Sequence, residues 1–140
     1  MRKELFDELL ESVKQAAAIE RGETPLAHYT LHEYVVMSNH VHLLIRPRSD
    51  MRNVMQLLKG STAHFANKIL RRAGSFWQQE YYDHFCRTPA EFENVREYIA
   101  RNPVKAGLVT KPEEWLWSSA HRRHKSKSEL VQAMAQPEPH

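Results

Sequence analysis

Two short stretches of this 140-residue chain carry side chains that could act together on a substrate. The first is His40-Val41-His42. Alternate side chains of a β-strand share a face, and residues two apart lie about 6.5–7 Å apart along the backbone, so both imidazole tips can converge on one cation. On its own such a pair is more often two half-exposed histidines than a metal site. A cation needs a third ligand, usually His, Asp, Glu, Asn or Gln. The second stretch holds Tyr98 and Asn102. Four-residue spacing puts them on one helix face, beside the apolar stripe of Phe92, Val95 and Ile99. A lone helical tyrosine is ordinarily a packing residue with its hydroxyl at the surface. To act as a nucleophile, a phenol of pKa about 10 must be activated or must meet an electrophile polarised by a metal.

The other titratable residues carry weaker signals. His28 and His32 share a strand face, while His64, His84, His121 and His124 are scattered; all six read as structural or surface. Cys86 is the only cysteine. It excludes an intrachain disulfide and a Cys-x-x-Cys zinc site, points to a reducing compartment, and reads as a packed thiol because no base stands beside it.

The elements that would position these residues follow from hydrophobic period and turn chemistry. Leu5, Phe6, Leu9, Leu10 and Val13 predict an amphipathic helix over residues 3–19, ended by Gly22 and Pro25. Residues 28–37 and 40–46 predict two strands joined by a Ser38-Asn39 turn, with Val41, Leu43 and Ile45 turned to the core and the histidines on the other face. Ser49 or Asp50 can cap a helix reaching about Arg72, with a buried stripe of Met51, Val54, Met55, Leu58, Phe65 and Ile69 and a kink or close approach at Gly60. The aromatic stretch 76–86 reads as extended. Thr88-Pro89-Ala90-Glu91 has the form of a capping box. The helix it starts is expected to stop near Asn102, because Pro103 disfavours helical geometry in the residue before it. Residues 103–120 read as loop-rich, and the chain from 126 to 140 as a polar, disordered tail after a domain over 1–125. The order α-β-β-α-β-α predicts an α+β fold, an antiparallel sheet covered by helices.

Hydrophobic residues make up 41% and charged residues 26%, a globular composition. The apolar runs are too short for a transmembrane helix, and the first residues lack the apolar core of a signal peptide, so no membrane partner and a cytoplasmic setting are expected. The formal net charge of +3 is unevenly spread. Residues 46–72 hold seven basic and one acidic side chain, and residues 101–127 seven basic and two acidic. Two such blocks could meet phosphates, though basic helices are often only solvated faces.

Four ordered motifs sharpen the reading. The run Tyr34-Val-Val-Met-Ser-Asn-His-Val-His-Leu-Leu-Ile45 resembles the signature of the HUH single-strand transposases, in their REP-associated tyrosine transposase branch. Phe76-Trp77-Gln78 with Tyr81-Tyr82-Asp83 is similar to that family's next strand, Tyr98 to Val109 to its catalytic helix and exit, and Pro112 to Ala120 to its closing segment. The resemblance implies a ferredoxin-like sheet, His40, His42 and Asn102 as ligands of Mg²⁺ or Mn²⁺, and Tyr98 as nucleophile. It implies transesterification of single-stranded or hairpin DNA, such as palindromic repeats, through a 5′-phosphotyrosine, by a monomer or homodimer. Arg46, Arg48, Arg52, Lys59, Lys68, Lys105, Arg122 and Arg123 are the expected DNA contacts, and Trp115 and Trp117 either stack on bases or anchor the core.

Two departures from the family pattern stand out. Ser38 occupies a position where proline is common. Family members also open with a strand, whereas here a helix follows Met1, so the sheet is expected to lack its first strand unless the true start lies upstream or another chain fills the gap. The resemblance therefore leaves two other functions open: a relative that grips hairpins without cutting, and a metal-dependent phosphodiesterase that uses water.

Overall fold

The alternation of residues 29–36 and 41–47 builds an antiparallel hairpin in the computed structural model, which describes Lys3, Asp7, residues 29–79 and residues 81–135. Strand β1 is Tyr29–Val36 and strand β2 is Val41–Pro47. Val36 pairs with Val41, and the Met37 N–H donates to the His40 carbonyl at 2.8 Å, closing a two-residue Ser38-Asn39 loop as expected. The ladder slips once. Leu31 pairs with Ile45 but Glu33 with Leu44, so His32 is an extra residue, a β-bulge. The bulge inverts the phase of the strand. Tyr29 and Leu31 before it, and Tyr34 and Val36 after it, face one side, while Glu33, Val35 and Met37 face the other.

Each side is covered by a helix. Helix α1, Met51–Leu70, is capped by Asp50, whose Oδ1 accepts from the Arg52 N–H at 2.8 Å. Its buried row is Val54, Leu58, Thr62 and Ala66, at strict four-residue spacing. Val54 and Leu58 pack on Tyr29, Leu31, Leu43 and Ile45, and Ala66 on Val36 and Val41. This row corrects the expected stripe. Phe65 turns outward, because a helix lying along the strands presents one i, i+4 row and Thr62 and Ala66 occupy it. Thr62 satisfies its hydroxyl by donating to the Leu58 carbonyl at 2.8 Å. Gly60 lies within an uninterrupted α1 and has no close neighbour, since a Cβ there would meet nothing within 4 Å. Gly60→Ala should therefore stabilise the fold by about 1 kcal/mol, a rise of about 3–5 °C in Tm on thermal unfolding.

The other face meets helix α2, Pro89–Lys105. Thr88 Oγ1 accepts from the Glu91 N–H at 3.1 Å, as a capping box requires. The Glu91 carboxylate reaches one residue further back than the motif expects, accepting from the Arg87 N–H at 2.9 Å and meeting His84. The Arg87 amide first, then His84, holds that carboxyl below its usual range. Phe92, Val95 and Ile99 pack on Val35, Met37 and Leu44, the stripe expected from sequence.

Helix α2 runs three residues past Asn102, contrary to the expected stop. Pro103 forfeits one backbone bond but buries its ring completely, and Leu108 and Gly107 N–H groups close the exit on the Pro103 and Val104 carbonyls. A single 3-10 turn at Pro112–Glu114 precedes helix α3, Ser119–Ala135. Ten residues read from sequence as a disordered tail are thus helical. The stretch 76–86 also departs from expectation: its described residues form no strand. Trp77 donates to Thr62 Oγ1 at 2.8 Å and Cys86 packs against the cluster on α2, so side chains rather than a ladder fix this segment.

The described residues therefore form an α+β fold, a two-stranded sheet between helices. On its other edge β1 meets the closing segment, where the Val36 N–H donates to the Trp117 carbonyl at 2.9 Å. The Trp115 indole donates to the Val36 carbonyl at 2.9 Å and that of Trp117 to Asp7 at 3.0 Å. Both tryptophans are core anchors. The expected first helix, apart from Lys3 and Asp7, and the expected missing strand lie outside the described residues, as do His28 and residues 136–140. No helix among the described residues is long and apolar enough to cross a membrane.

Candidate active site

His42 stands in β2 opposite Val35, and His40 ends the loop just before it. Their rings meet edge to face with centroids 4.8 Å apart. His40 is exposed, and its Nδ1 donates to Asn39 Oδ1 at 2.6 Å. A hydrogen bond that fixes the tautomer and orientation of a ring is the usual outer partner of a metal-binding histidine. His42 is half-buried. Burial, and then the neighbouring His40, lower its pKa, so its ring is neutral near pH 7.

Helix α2 brings Tyr98 to this pair. Its ring lies 5.6 Å from that of His42, again edge to face. Such pairs are worth about 0.5–1.5 kcal/mol each, enough to bias side chains that remain partly in water. Tyr98 is 49% exposed, although the next residue, Ile99, is buried. The helix is thus anchored through one residue and presents the phenol through its neighbour. Lys105, seven residues on, places its ammonium 5.8 Å from the Tyr98 ring centre. Beside the phenol lies a shallow groove of about 270 Å³ lined by Asn94, Glu97, Arg101 and Lys105. Arg101 is paired there with Glu97 at 3.3 Å, so Lys105 is its cation with the stronger claim on a phosphate. Asn102 follows Tyr98 by one turn, half-buried.

The donor set fits a divalent cation. Ring centres 4.8 Å apart are close enough for both imidazoles to reach one cation. Among the described residues, no group of three or more His, Cys, Asp and Glu side chains forms a site. Asn102, the third ligand that the resemblance implies, lies one turn beyond Tyr98 on α2.

The expected DNA contacts are dispersed. Arg46, Arg48 and Arg52 are exposed along the end of β2 and the start of α1. Lys59 donates to the Gln78 carbonyl at 2.6 Å, and Lys68 lies exposed in the last turn of α1. Arg122 and Arg123 open α3, but Arg123 donates to Glu33 at 2.8 Å. That carboxylate is fully buried, also takes Arg96 at 3.2 Å and the Ser119 hydroxyl, and is the residue sequence reasoning missed. Its signal was one acidic side chain ahead of the apolar run Tyr34-Val35-Val36-Met37. Asn39, missed as well, is recognisable as an amide next to the histidine it orients.

The IS200-like transposase family matches residues 2–102. A Haemophilus influenzae protein provisionally named a REP-associated tyrosine transposase is 29% identical over 99 residues, covering 62% of this chain and 56% of that protein. The REP-associated tyrosine transposase of Escherichia coli is 25% identical over 97 residues, covering 67% of this chain and 56% of its own length. The chain thus spans little more than half the length of these curated relatives. No solved structure matches it significantly. A tyrosine beside a strand histidine and the loop histidine before it, and a family match over most of the chain, lead to one assignment: this chain belongs to the IS200-like transposases.

Proposed function

We propose that this chain nicks and rejoins single-stranded or hairpin DNA with Tyr98 as nucleophile. The 5.6 Å approach of Tyr98 to His42, itself 4.8 Å from His40, carries this reading. His40, His42 and Asn102 would hold Mg²⁺ or Mn²⁺. That cation would polarise the phosphate oxygens and offset the charge that develops on them. The phenol oxygen of Tyr98 forms a bond to phosphorus, its proton leaves to solvent, and the P–O3′ bond breaks. The departing 3′ oxygen takes up a proton, and the 5′ phosphate stays on the tyrosine. A later attack by a 3′-hydroxyl reverses these changes without ATP, because the phosphoester count is unchanged. Lys105 draws the phosphate toward the phenol, and the apolar anchors on either side of Tyr98 keep the helix from turning it away.

The test is incubation of the protein with labelled single-stranded hairpin DNA and Mn²⁺, followed by a denaturing gel. A labelled band at the protein's mass plus DNA is expected. Binding without cleavage would make the chain a hairpin-gripping module, and cleavage without the band a water-using phosphodiesterase.

Two further results follow. Mn²⁺ at about ten times its dissociation constant should stabilise the fold by about 1.4 kcal/mol, about 4–6 °C in Tm. The His40→Ala/His42→Ala double variant should show no such shift; an equal shift in both proteins places the cation elsewhere. Hairpin affinity should fall about 150- to 2,000-fold between about 50 and 200 mM salt if roughly four to six phosphates of the duplex stem are contacted, measured by fluorescence anisotropy.

A further inference from the structure

Five residues of the segment between α1 and α2 hold three aromatic rings that the core does not take up. Tyr82 is fully exposed, Phe85 is 65% exposed and Tyr81 40% exposed. Single exposed apolar residues are ordinary, but three rings clustered in one segment mark a contact surface. The backbone beneath them is held at both ends. On one side Trp77 bonds to Thr62 and Lys59 donates to the Gln78 carbonyl; on the other Cys86 packs under α2 and the Arg87 N–H donates to Glu91. The rings are therefore presented from a fixed base.

The charge nearby selects the partner. Helix α1 contains no acidic residue, and Arg52 lies on the same face of it as Lys59, two turns nearer the N-terminus, while Lys59 itself reaches this segment at the Gln78 carbonyl. The Lys59 ammonium stands 5.6 Å from the Tyr81 ring centre, joining cation and ring. Cations for phosphates next to rings for base faces is the arrangement that binds single-stranded nucleic acid. Asp83 sits between Tyr82 and His84 in sequence, so charge alone does not make this segment attractive to DNA.

We propose that Tyr82 and Phe85, with Tyr81 beneath Lys59, form a platform on which the unpaired bases flanking a hairpin stack, while the phosphates of that strand follow Arg52 and Lys59. The proposal rests on the DNA reading above and adds what recognises the single-stranded part. Stacking is indifferent to ionic strength, whereas phosphate contacts are not.

The test compares Tyr82→Ser/Phe85→Ser with wild type on two labelled DNAs: a blunt hairpin and the same hairpin with a single-stranded tail of about ten nucleotides. The double variant should lose about 10- to 100-fold in affinity for the tailed DNA and less than about twofold for the blunt one. The loss should be the same at about 50 and 200 mM salt. Tyr82→Trp/Phe85→Trp should restore binding, and 2-aminopurine in the tail should be quenched by wild type but not by the serine variant. Tyr82→Ser alone, at a fully exposed position, guards against a folding defect and should lose part of the same affinity. An equal loss on both DNAs, a loss that changes with salt, or no loss overturns the platform. So does a wild-type dimer that the serine variant converts to monomer, since a second copy would then be what covers the rings. Wild type that binds neither DNA overturns the DNA reading as well.

Discussion

Tyr98→Phe should abolish covalent capture of DNA while leaving its affinity within about twofold of wild type. The substitution removes one oxygen and keeps the ring that meets His42 edge to face. Tyr98 is half exposed, so stability should change by less than about 0.5 kcal/mol. The lost atom is the one proposed to bond to phosphorus, and no neighbouring side chain can supply its equivalent at the same place. The labelled protein band should fall at least about 10³-fold, to background, because a missing nucleophile is not a weakened one. Binding rests on phosphate contacts that the change does not touch. A variant that still cuts at the wild-type rate would remove Tyr98 from the reaction.

The second large effect concerns stability and is asymmetric. Glu33 is fully buried, while the side chains of its partners Arg96 and Arg123 are 40% and 46% exposed. Arg123→Leu removes the shorter of the two ion pairs, 2.8 Å against 3.2 Å, and leaves the carboxylate buried with less compensation. Breaking a buried pair from one side costs about 3–5 kcal/mol; Arg96 and Ser119 remain, so about 3 kcal/mol is expected. Glu33→Gln leaves two arginines that can turn to water and should cost about 1–2 kcal/mol. Urea unfolding of both variants checks the order. A larger loss for Glu33→Gln would mean that Glu33 acts by more than neutralising its own buried charge.

Much of this was legible in local sequence. The hairpin, its turn and the threonine cap of α2 each depend on residues within a few positions of one another, and all appear where expected. The stripe of Phe92, Val95 and Ile99 and the shared face of Tyr98 and Asn102 follow from helical period alone. What failed depends on partners far away in sequence. His32 reads as one more strand residue until β2 shows that it has no opposite number. Phe65 is the more apolar choice for a buried row, but the direction in which α1 crosses the sheet selects Thr62 and Ala66. The ring of Pro103 is tolerated because the surrounding fold buries it. In 76–86 the aromatic content suits a strand, yet side-chain anchors hold the segment without one. Glu33 has its cations 63 and 90 residues away, beyond any local pattern.

Those two separations also set a clock. During synthesis at roughly 5–20 residues per second, Arg96 emerges roughly 3–13 s after Glu33, and Arg123 roughly 5–18 s after it. A hairpin forms in about 1–10 μs and a helix in about 1 μs or less, so β1, β2 and α1 can join as soon as Leu70 has emerged. The opposite side of the same strand cannot dry out then, because the Glu33 carboxylate has only water to answer its charge. For several seconds the nascent protein has α1 laid on one side, still short of Trp115 and Trp117, and is wet on the other, with Val35, Met37 and Leu44 open to whatever else the ribosome's surroundings offer.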